Sequence, residues 1–330
     1  MHTNLQPILL AGPTAVGKSE IALLLAEKIG GEIISVDSMQ VYRGLDIGTA
    51  KPSAQERARV PHHLIDVIEL TEPFNAAQFI KLANEAVSKV RQRGHVPILC
   101  GGTGLYFKAF LEGLGHAPPG NTELRAQLAA IPLPELLREL AARDPKTYES
   151  IDRQNLRRVI RAVEVIRLTG KPFSQQRARS SAECRIGTTQ GTDPSGSVQS
   201  AECRVQSAEG AFGLSRSLED LRSRIDARVD EMFRRGLVAE TAELLKQGLA
   251  ENKTAMQALG YRQVAEHLRG ERSLPETIEL VKIRTRQFAK RQMTWFRRQA
   301  QLRWLEVGAN ESAATTAERL WKESGWAIDR

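Results

Sequence analysis

Short apolar runs alternate with helical patterns along the first hundred residues. Buried strands are expected at four of these runs, residues 8–10, 32–36, 64–67 and 97–100. Helical spacing of apolar side chains lies between most of them, as at 20–28 and 76–93. Strands that alternate with helices are typical of a parallel sheet covered on both faces. We therefore predict an α/β fold whose ligands bind beyond the carboxyl ends of the strands.

The pattern becomes helical from about residue 121. Apolar side chains recur with a helical period over 155–168. Residues 177–210 differ, because they are rich in Ser, Gly, Thr and Gln and repeat the pentapeptide Ser-Ala-Glu-Cys-Arg at 181–185 and 200–204. Such a composition predicts a low-complexity insert without a packed core.

The last third of the chain returns to mixed structure. A short strand is predicted at 211–214, helices over most of 216–300 and a final strand at 304–307. The chain is therefore divided into four parts: a catalytic core at 1–120, a helical domain at 121–178, the insert at 179–210, and at 211–330 helices and a short strand that return to the core with a basic surface.

A complete phosphate-binding loop lies between the first strand and the first helix. It has the form G-x-x-x-x-G-K-[ST] and consists of Gly12, Pro13, Thr14, Ala15, Val16, Gly17, Lys18 and Ser19. The two glycines let the backbone wrap an anion, the lysine adds a positive charge, and the serine offers a hydroxyl to a divalent ion. The loop predicts a bound di- or triphosphate without saying which one.

Polar residues follow two further strands. Asp37 and Ser38 come after the strand at 32–36, and Thr103 lies in a glycine-rich turn after the strand at 97–100. A carboxylate beside a phosphate loop can serve as a metal ligand or a general base. The alternative for Asp37 is an aspartate that only caps a turn. Thr103 can hydrogen-bond a substrate, although glycine-rich turns follow many strands.

Positive charge is concentrated near the carboxyl end of the chain. The formal net charge is +8, yet residues 1–110 carry 11 basic and 10 acidic side chains. Residues 280–304 hold eight Lys or Arg and no Asp or Glu. This block predicts a polyanionic partner. We expect Phe288 and Trp295, which lie within it, to be core residues under a basic surface.

Other features restrict the class of protein. Hydrophobic residues make up 41% of the chain, but no run approaches the roughly 20 apolar residues of a membrane span. The amino terminus lacks the pattern of an export signal. The three cysteines, Cys100, Cys184 and Cys203, have no metal-ligand spacing. We expect a cytoplasmic monomer without a membrane partner.

Six segments resemble one enzyme family, the tRNA dimethylallyltransferases, also called tRNA isopentenyltransferases. They occur in the family's order and span most of the chain: GPTAVGKS (12–19), DSMQVYRGLDIGTAKP (37–52), PHHLID (61–66), GGTGLY (101–106), LGYRQ (259–263) and TRQFAKRQMTWFR (285–297). The second and last of these are far more selective than the phosphate loop. The insert at 177–210 departs from the family's usual connection.

The resemblance implies a P-loop NTPase-like parallel sheet flanked by helices, with an inserted all-helical domain. It implies transfer of a dimethylallyl group from dimethylallyl diphosphate to N6 of the adenosine on the 3′ side of the anticodon in tRNA. The loop would hold the leaving diphosphate with Mg²⁺, for which Ser19 is the metal ligand. Arg224 and Arg228 resemble family positions near the diphosphate. Asp37 would act as the general base, with Thr103 across the reaction channel.

The resemblance also implies a tRNA-binding surface. Its residues would be Asp37, Ser38, Met39, Gln40, Arg125, Arg157, Arg158, Arg161, Arg286, Lys290, Arg291, Gln292 and Arg297.

Three alternative functions stay open: an adenylate isopentenyltransferase of the cytokinin type, a P-loop small-molecule kinase, and an RNA-binding NTPase-like switch. The kinase leaves the basic block unexplained, and the switch leaves Asp37 and Thr103 unexplained.

Overall fold

The computed structural model of the chain describes residues 5–176 and 210–324. These residues form two compact units. The first unit contains residues 5–111 and 210–324, and the second contains residues 112–176. The insert predicted at 179–210 lies, apart from Gly210, outside the described residues.

A parallel sheet forms the centre of the first unit. Over the described residues its six strands are β1 (Ile8–Ala11), β2 (Gly31–Val36), β3 (His62–His63), β4 (Val96–Gly101), β5 (Ala211–Ser215) and β6 (Arg303–Glu306). Their order is β3-β2-β4-β1-β5-β6, and every neighbouring pair runs parallel. The predicted α/β fold with a parallel sheet is confirmed.

Helices make up most of the remaining described structure. Their bounds are α1 (Lys18–Ile29), α2 (Ala54–Arg59), α3 (Ala76–Gln92), α4 (Gly104–Glu112), α5 (Thr122–Ala129), α6 (Leu133–Arg143), α7 (Pro145–Ser150), α8 (Leu156–Thr169), α9 (Phe173–Gln176), α10 (Leu218–Arg234), α11 (Leu237–Lys246), α12 (Tyr261–Leu268), α13 (Leu274–Gln299) and α14 (Ala313–Ser324). Helices α5 to α9 belong to the second unit. No helix within 5–176 or 210–324 has both the length and the apolar character to cross a bilayer.

The sheet is buried on both faces. In β1, Leu9 belongs to one apolar cluster with Phe79 and Phe296, whereas Leu10 belongs to another with Phe212. Alternate residues of a strand point to opposite faces, so both faces of β1 lie under helices. This explains why the strands read as continuous apolar runs in the sequence rather than as alternating ones.

The prediction of a strand at residues 64–67 is wrong. The strand in this region is β3 at His62–His63, and the backbone leaves the extended conformation directly afterwards. Leu64 and Asp66 have left-handed φ values of 62° and 56°. The buried ammonium of Lys51 lies 2.5 Å from Asp66 Oδ1 and holds this turn. A side-chain ion pair therefore overrides the apolar pattern.

In the second unit, a buried carboxylate organises two arginines. Glu164 on α8 is fully buried. It accepts hydrogen bonds from Arg125 Nε at 2.9 Å, Arg161 Nη1 at 2.6 Å and the Asn121 N–H at 2.7 Å. Leu128, from α5, belongs to the apolar cluster of this unit. Both arginines, predicted to contact tRNA, thus also hold this unit together.

Glu32 forms a second buried charge cluster at the amino end of β2. Its carboxylate accepts from Arg93 Nη2, His63 Nε2 and His95 Nδ1, each at 2.6 Å. Burial alone would raise the pKa of Glu32, but the hydrogen bonds from Arg93 and the two histidines lower it to about 2. His63 therefore has a structural partner away from the phosphate loop.

The Glu32 cluster makes stability depend on pH. We expect Glu32→Gln to lower the free energy of unfolding by about 2 kcal/mol at neutral pH, because it removes the charge that three donors face. The depressed pKa makes the contribution of Glu32 complete above 4.5, and the contribution is lost as the pH falls toward about 2. Urea unfolding of wild type and variant across this range tests the prediction. A difference that stays constant from neutral to acid pH would contradict it.

Candidate active site

The phosphate loop is shaped for an anion by its backbone. Gly12 and Gly17 have φ values of 155° and 105°. A Cβ on Gly12 would lie 2.8 Å from the Leu214 carbonyl oxygen, so only glycine fits there. Gly17 caps α1 without a side-chain hydrogen bond. The first N–H groups of α1 therefore have no side-chain acceptor and suit an oxyanion.

Lys18 brings a desolvated positive charge to this loop. Its Nζ donates to the Pro13 carbonyl oxygen at 2.7 Å. Burial, with a smaller contribution from the nearby Arg228, lowers the pKa of Lys18 to about 8, although Cys100 and Asp37 act in the opposite direction. The four side chains therefore lie close enough to influence one another, around the ends of β1, β2 and β4.

Arg228 adds a second positive charge from α10. Burial lowers the pKa of its guanidinium, and the charge of Asp37 opposes that shift. Within the described residues no hydrogen-bond acceptor or ion-pair partner engages this guanidinium. A partly buried cation without a partner is costly unless an anion arrives to pair with it.

Two other arginines hold the phosphate loop from outside. Arg216 Nε donates to the Val16 carbonyl oxygen at 2.9 Å. Arg224 Nε donates to the Ala15 carbonyl oxygen at 3.0 Å. Arg224, predicted near the diphosphate, thus contacts the loop backbone. Sequence reasoning missed Arg216, although its place directly after β5, at the carboxyl end of a parallel strand, was a usable signal.

Asp37 uses only one of its two carboxylate oxygens within the described structure. Oδ1 accepts from the Met39 N–H at 2.8 Å and the Gln40 N–H at 3.3 Å. No hydrogen-bond donor of the described residues reaches Oδ2. Asp37 therefore caps a turn, which was the alternative role considered from the sequence. Its Oδ2 nevertheless stays available to a ligand.

Thr103 lies beside Asp37 because β2 and β4 are neighbours. Val36 pairs with Gly101 at the carboxyl ends of these strands. Thr103 Oγ1 accepts from the Ser38 N–H at 3.2 Å, and the Thr103 N–H donates to the Val36 carbonyl oxygen. The two predicted catalytic residues are thus held together by the register of the sheet.

The segment after Asp37 is held in place by its own side chains. Gln40 Oε1 accepts from Ser35 Oγ at 2.8 Å, and Nε2 donates to the Thr49 carbonyl oxygen at 3.2 Å. Met39 packs against the apolar cluster that contains Leu9 and Phe296. Gln40 is predicted to contact tRNA, but in this structure its amide forms hydrogen bonds with Ser35 and Thr49.

Tyr261 supports the same segment from α12. Its hydroxyl donates to Glu240 Oε1 at 2.6 Å and accepts from the Gly48 N–H at 3.1 Å. A Cβ on Gly48 would lie 2.4 Å from the Tyr261 ring. The motif at 259–263 is thus explained as a support for the motif at 37–52.

A basic groove runs along α13. Its lining residues are Gln287, Lys290, Arg291, Thr294, Trp295, Arg298 and Gln299. Trp295 is half-buried and meets the Phe296 ring edge-on at 5.3 Å between centroids. The Arg291 guanidinium lies 5.9 Å from the centre of the Phe288 ring. We call this surface the α13 groove.

The other predicted tRNA residues fall into two sets. Lys290, Arg291 and Arg297 are exposed on α13, and Arg157 and Arg158 are exposed on α8. In the second set the polar groups already have partners in the protein. Arg286 pairs with both oxygens of Asp226, and Gln292 is only 8% exposed, with its amide bound to two loops.

Comparison with known proteins assigns the chain to a family. Residues 40–299 match the model of the family described as IPP transferase. The chain belongs to the IPP transferase family. It is 43% identical over 303 residues to a tRNA dimethylallyltransferase 1 of Citrifermentans bemidjiense, covering 92% of each chain.

Two solved structures resemble this chain over most of its length. The first is the full-length tRNA isopentenylpyrophosphate transferase of Bacillus halodurans, with 34% identity, a TM-score of 0.64, and coverage of 97% of this chain and 98% of that one. The second is a eukaryotic dimethylallyltransferase acting on tRNA, with 26% identity, a TM-score of 0.69, and coverage of 91% and 73%. The family resemblance stated from the sequence is confirmed.

The electrostatic coupling of Lys18 with Arg228 predicts that anion binding at the phosphate loop depends on pH. The affinity for inorganic pyrophosphate should fall as the pH rises through about 8, because Lys18 then loses its charge. Arg228→Met should weaken binding about tenfold and move this fall to higher pH, because Arg228 lowers the pKa of Lys18.

Isothermal titration calorimetry of wild type and of Arg228→Met with pyrophosphate across this pH range tests the prediction. Protonation of pyrophosphate itself affects both proteins equally and cancels when they are compared. Arg222→Met, at an exposed arginine of the same helix, is the matched control. If the Arg222 and Arg228 variants bind pyrophosphate equally well, Arg228 does not face the anion.

Proposed function

We propose that this protein moves a dimethylallyl group from dimethylallyl diphosphate to N6 of the adenosine on the 3′ side of the anticodon in tRNA. One observation carries the proposal. The cations Lys18 and Arg228 and the open oxygen of Asp37 lie around a single phosphate loop. The two cations suit an anionic leaving group, and the carboxylate beside them suits an amine that must give up a proton.

In this proposal the loop binds a departing diphosphate rather than the phosphates of ATP. The bond between the allylic carbon and the diphosphate oxygen breaks, and negative charge accumulates on that oxygen. The first N–H groups of α1, with Lys18 and Arg228, face this developing charge. Preorganised donors and cations in a partly desolvated site stabilise such charge better than water does.

Asp37 is the proton acceptor in the proposal. As N6 forms its bond to the allylic carbon, its proton passes to Asp37 Oδ2, the oxygen that no described residue occupies. An aromatic amine is a weak nucleophile, so its placement matters as much as basicity. Thr103, which is bonded to the Ser38 N–H, lies where it can orient the same amine.

Mg²⁺ fits this site as a partner of the diphosphate. Ser19 offers an exposed hydroxyl in the first turn of α1. Within the described residues no group of three or more His, Cys, Asp or Glu side chains could hold a metal by itself. Mg²⁺ commonly keeps several waters and binds largely through substrate phosphates, so a site with few protein ligands is compatible with it. The bound ion would neutralise diphosphate charge.

The α13 groove is the proposed contact for tRNA on the first unit. Lys290, Arg291 and Arg298 supply donors for phosphates, and half-buried Trp295 offers a ring edge or face to a base. A small-molecule kinase or an enzyme acting on free AMP has no use for a basic groove of this kind. The monomeric state and the cytoplasmic location stay predictions.

One assay separates the proposed function from its rivals. Protein and Mg²⁺ are incubated with radiolabelled dimethylallyl diphosphate and either tRNA or AMP, and in parallel with ATP and nucleosides. We expect label on tRNA alone, at the adenosine beside the anticodon. Label on AMP but not on tRNA, or transfer of the γ-phosphate from ATP, would overturn the proposal.

Replacing Asp37 tests the proposed base. Asp37→Asn keeps the cap on the turn but removes the proton acceptor, so we expect kcat to fall by about 100- to 10,000-fold. The affinity for tRNA should stay within a few-fold of wild type. Single-turnover kinetics and filter binding measure the two quantities. A large loss of affinity with an unchanged single-turnover rate would make Asp37 a binding residue instead.

Replacing Arg291 tests the α13 groove. Arg291→Ala should weaken tRNA binding and reduce the slope of log affinity against log salt by about one unit, because one phosphate contact is lost. Arg222→Ala removes the same charge from an exposed position outside the groove and should leave the slope unchanged. Equal slopes in both variants and in wild type would show that Arg291 contacts no phosphate.

A further inference from the structure

One buried glutamine of α13 joins two loops of the active site. Gln292 Oε1 accepts from the Thr14 N–H of the phosphate loop at 2.9 Å. Its Nε2 donates to the Gly102 carbonyl oxygen, next to Thr103, also at 2.9 Å. The side chain is only 8% exposed. Its polar atoms therefore face the protein and not the α13 groove.

The glycine-rich loop is shaped to receive this side of α13. A Cβ on Gly102 would lie 2.3 Å from Gln292 Nε2, and a Cβ on Gly104 would lie 2.2 Å from the Trp295 ring. A larger residue at Gly102 would displace the Gln292 amide, and one at Gly104 would displace the Trp295 ring. The two glycines thus allow α13 to lie directly against the residues that flank Thr103.

The chemistry of the bridge requires a glutamine. A carboxamide carries an acceptor for the Thr14 N–H and a donor for the Gly102 carbonyl. Glutamate would keep the acceptor but turn a second negative oxygen toward a carbonyl, beside the anion site. Methionine fills a similar volume but makes neither hydrogen bond.

We propose that Gln292 is a positioning residue that fixes the phosphate loop relative to Thr103, and through them the diphosphate relative to the accepting adenine. The proposal rests on the proposed function. It gives Gln292 a task different from the tRNA contact predicted from the sequence, because the bridge uses both ends of its amide. The RNA-facing helix and the catalytic loops thereby share one rigid connection.

Substitution of Gln292 should separate catalysis from tRNA binding. Gln292→Met should lower kcat/KM for dimethylallyl diphosphate about 10- to 100-fold, since two buried partners lose their hydrogen bonds. The Kd for tRNA should stay within about twofold, unlike that of Arg291→Ala. Gln92→Met, the same change at an exposed glutamine of α3, is the control and should match wild type.

A pH series on Gln292→Glu sharpens the test. A protonated glutamic acid again carries one donor and one acceptor, and burial favours that neutral form. The rate of Gln292→Glu relative to wild type should therefore rise as the pH falls from about 8 to about 6, whereas the ratio for Gln292→Met stays flat. A purely structural defect would give two flat ratios and would overturn the proposal.

Binding of inorganic pyrophosphate with Mg²⁺ provides a readout that needs no prenyl transfer. Gln292→Met and Gly102→Ala, whose added methyl displaces the same amide, should both bind pyrophosphate more weakly than wild type, while Gln92→Met binds normally. If the wild-type protein transferred no prenyl group to tRNA, the proposed function would be refuted. The pyrophosphate-binding measurement would still decide whether Gln292 positions the phosphate loop. Normal pyrophosphate binding in both variants, or a loss of tRNA affinity equal to that of Arg291→Ala, would overturn the positioning role.

Discussion

The active site depends on one constraint. Two positive charges and a carboxylate must lie close together at the carboxyl ends of the strands without neutralising one another. Asp37 influences both Lys18 and Arg228 electrostatically, yet no ion pair joins it to either. Its Oδ1 is held by backbone N–H groups, and the Lys18 ammonium is held by the Pro13 carbonyl. The surrounding loops thus keep the charges apart, so that each remains available to a substrate.

Helix α13 links this charge arrangement to the basic surface. Its buried residues include Gln292 and Phe296, of which the first holds two loops and the second lies in the apolar core. Its exposed residues form the α13 groove. A single helix of 26 residues therefore carries both the support of the active site and the proposed RNA contacts. Substitutions on its two sides should consequently have different kinetic signatures.

Local sequence predicted what depends on local structure. The phosphate loop and the alternation of strands and helices follow from local motifs, and the family resemblance implied that Asp37 and Thr103 face one reaction channel. Partners far apart in the chain could not be predicted this way. The bridge from Gln292 to Thr14, the hold of Arg216 on Val16, and the pairing of two arginines with Glu164 arise only after folding. The wrong strand at 64–67 has the same origin, since the ion pair of Lys51 with Asp66 is invisible in an apolar pattern.

The most direct measurement is a crystal structure with Mg²⁺ and an unreactive thiolo analogue of dimethylallyl diphosphate. We expect the diphosphate to contact Lys18, Arg228 and the first N–H groups of α1, with the allylic carbon facing the side of Asp37 that carries Oδ2. A diphosphate bound away from these two cations, or an allylic carbon turned away from Asp37, would contradict a loop that holds the leaving group beside its base.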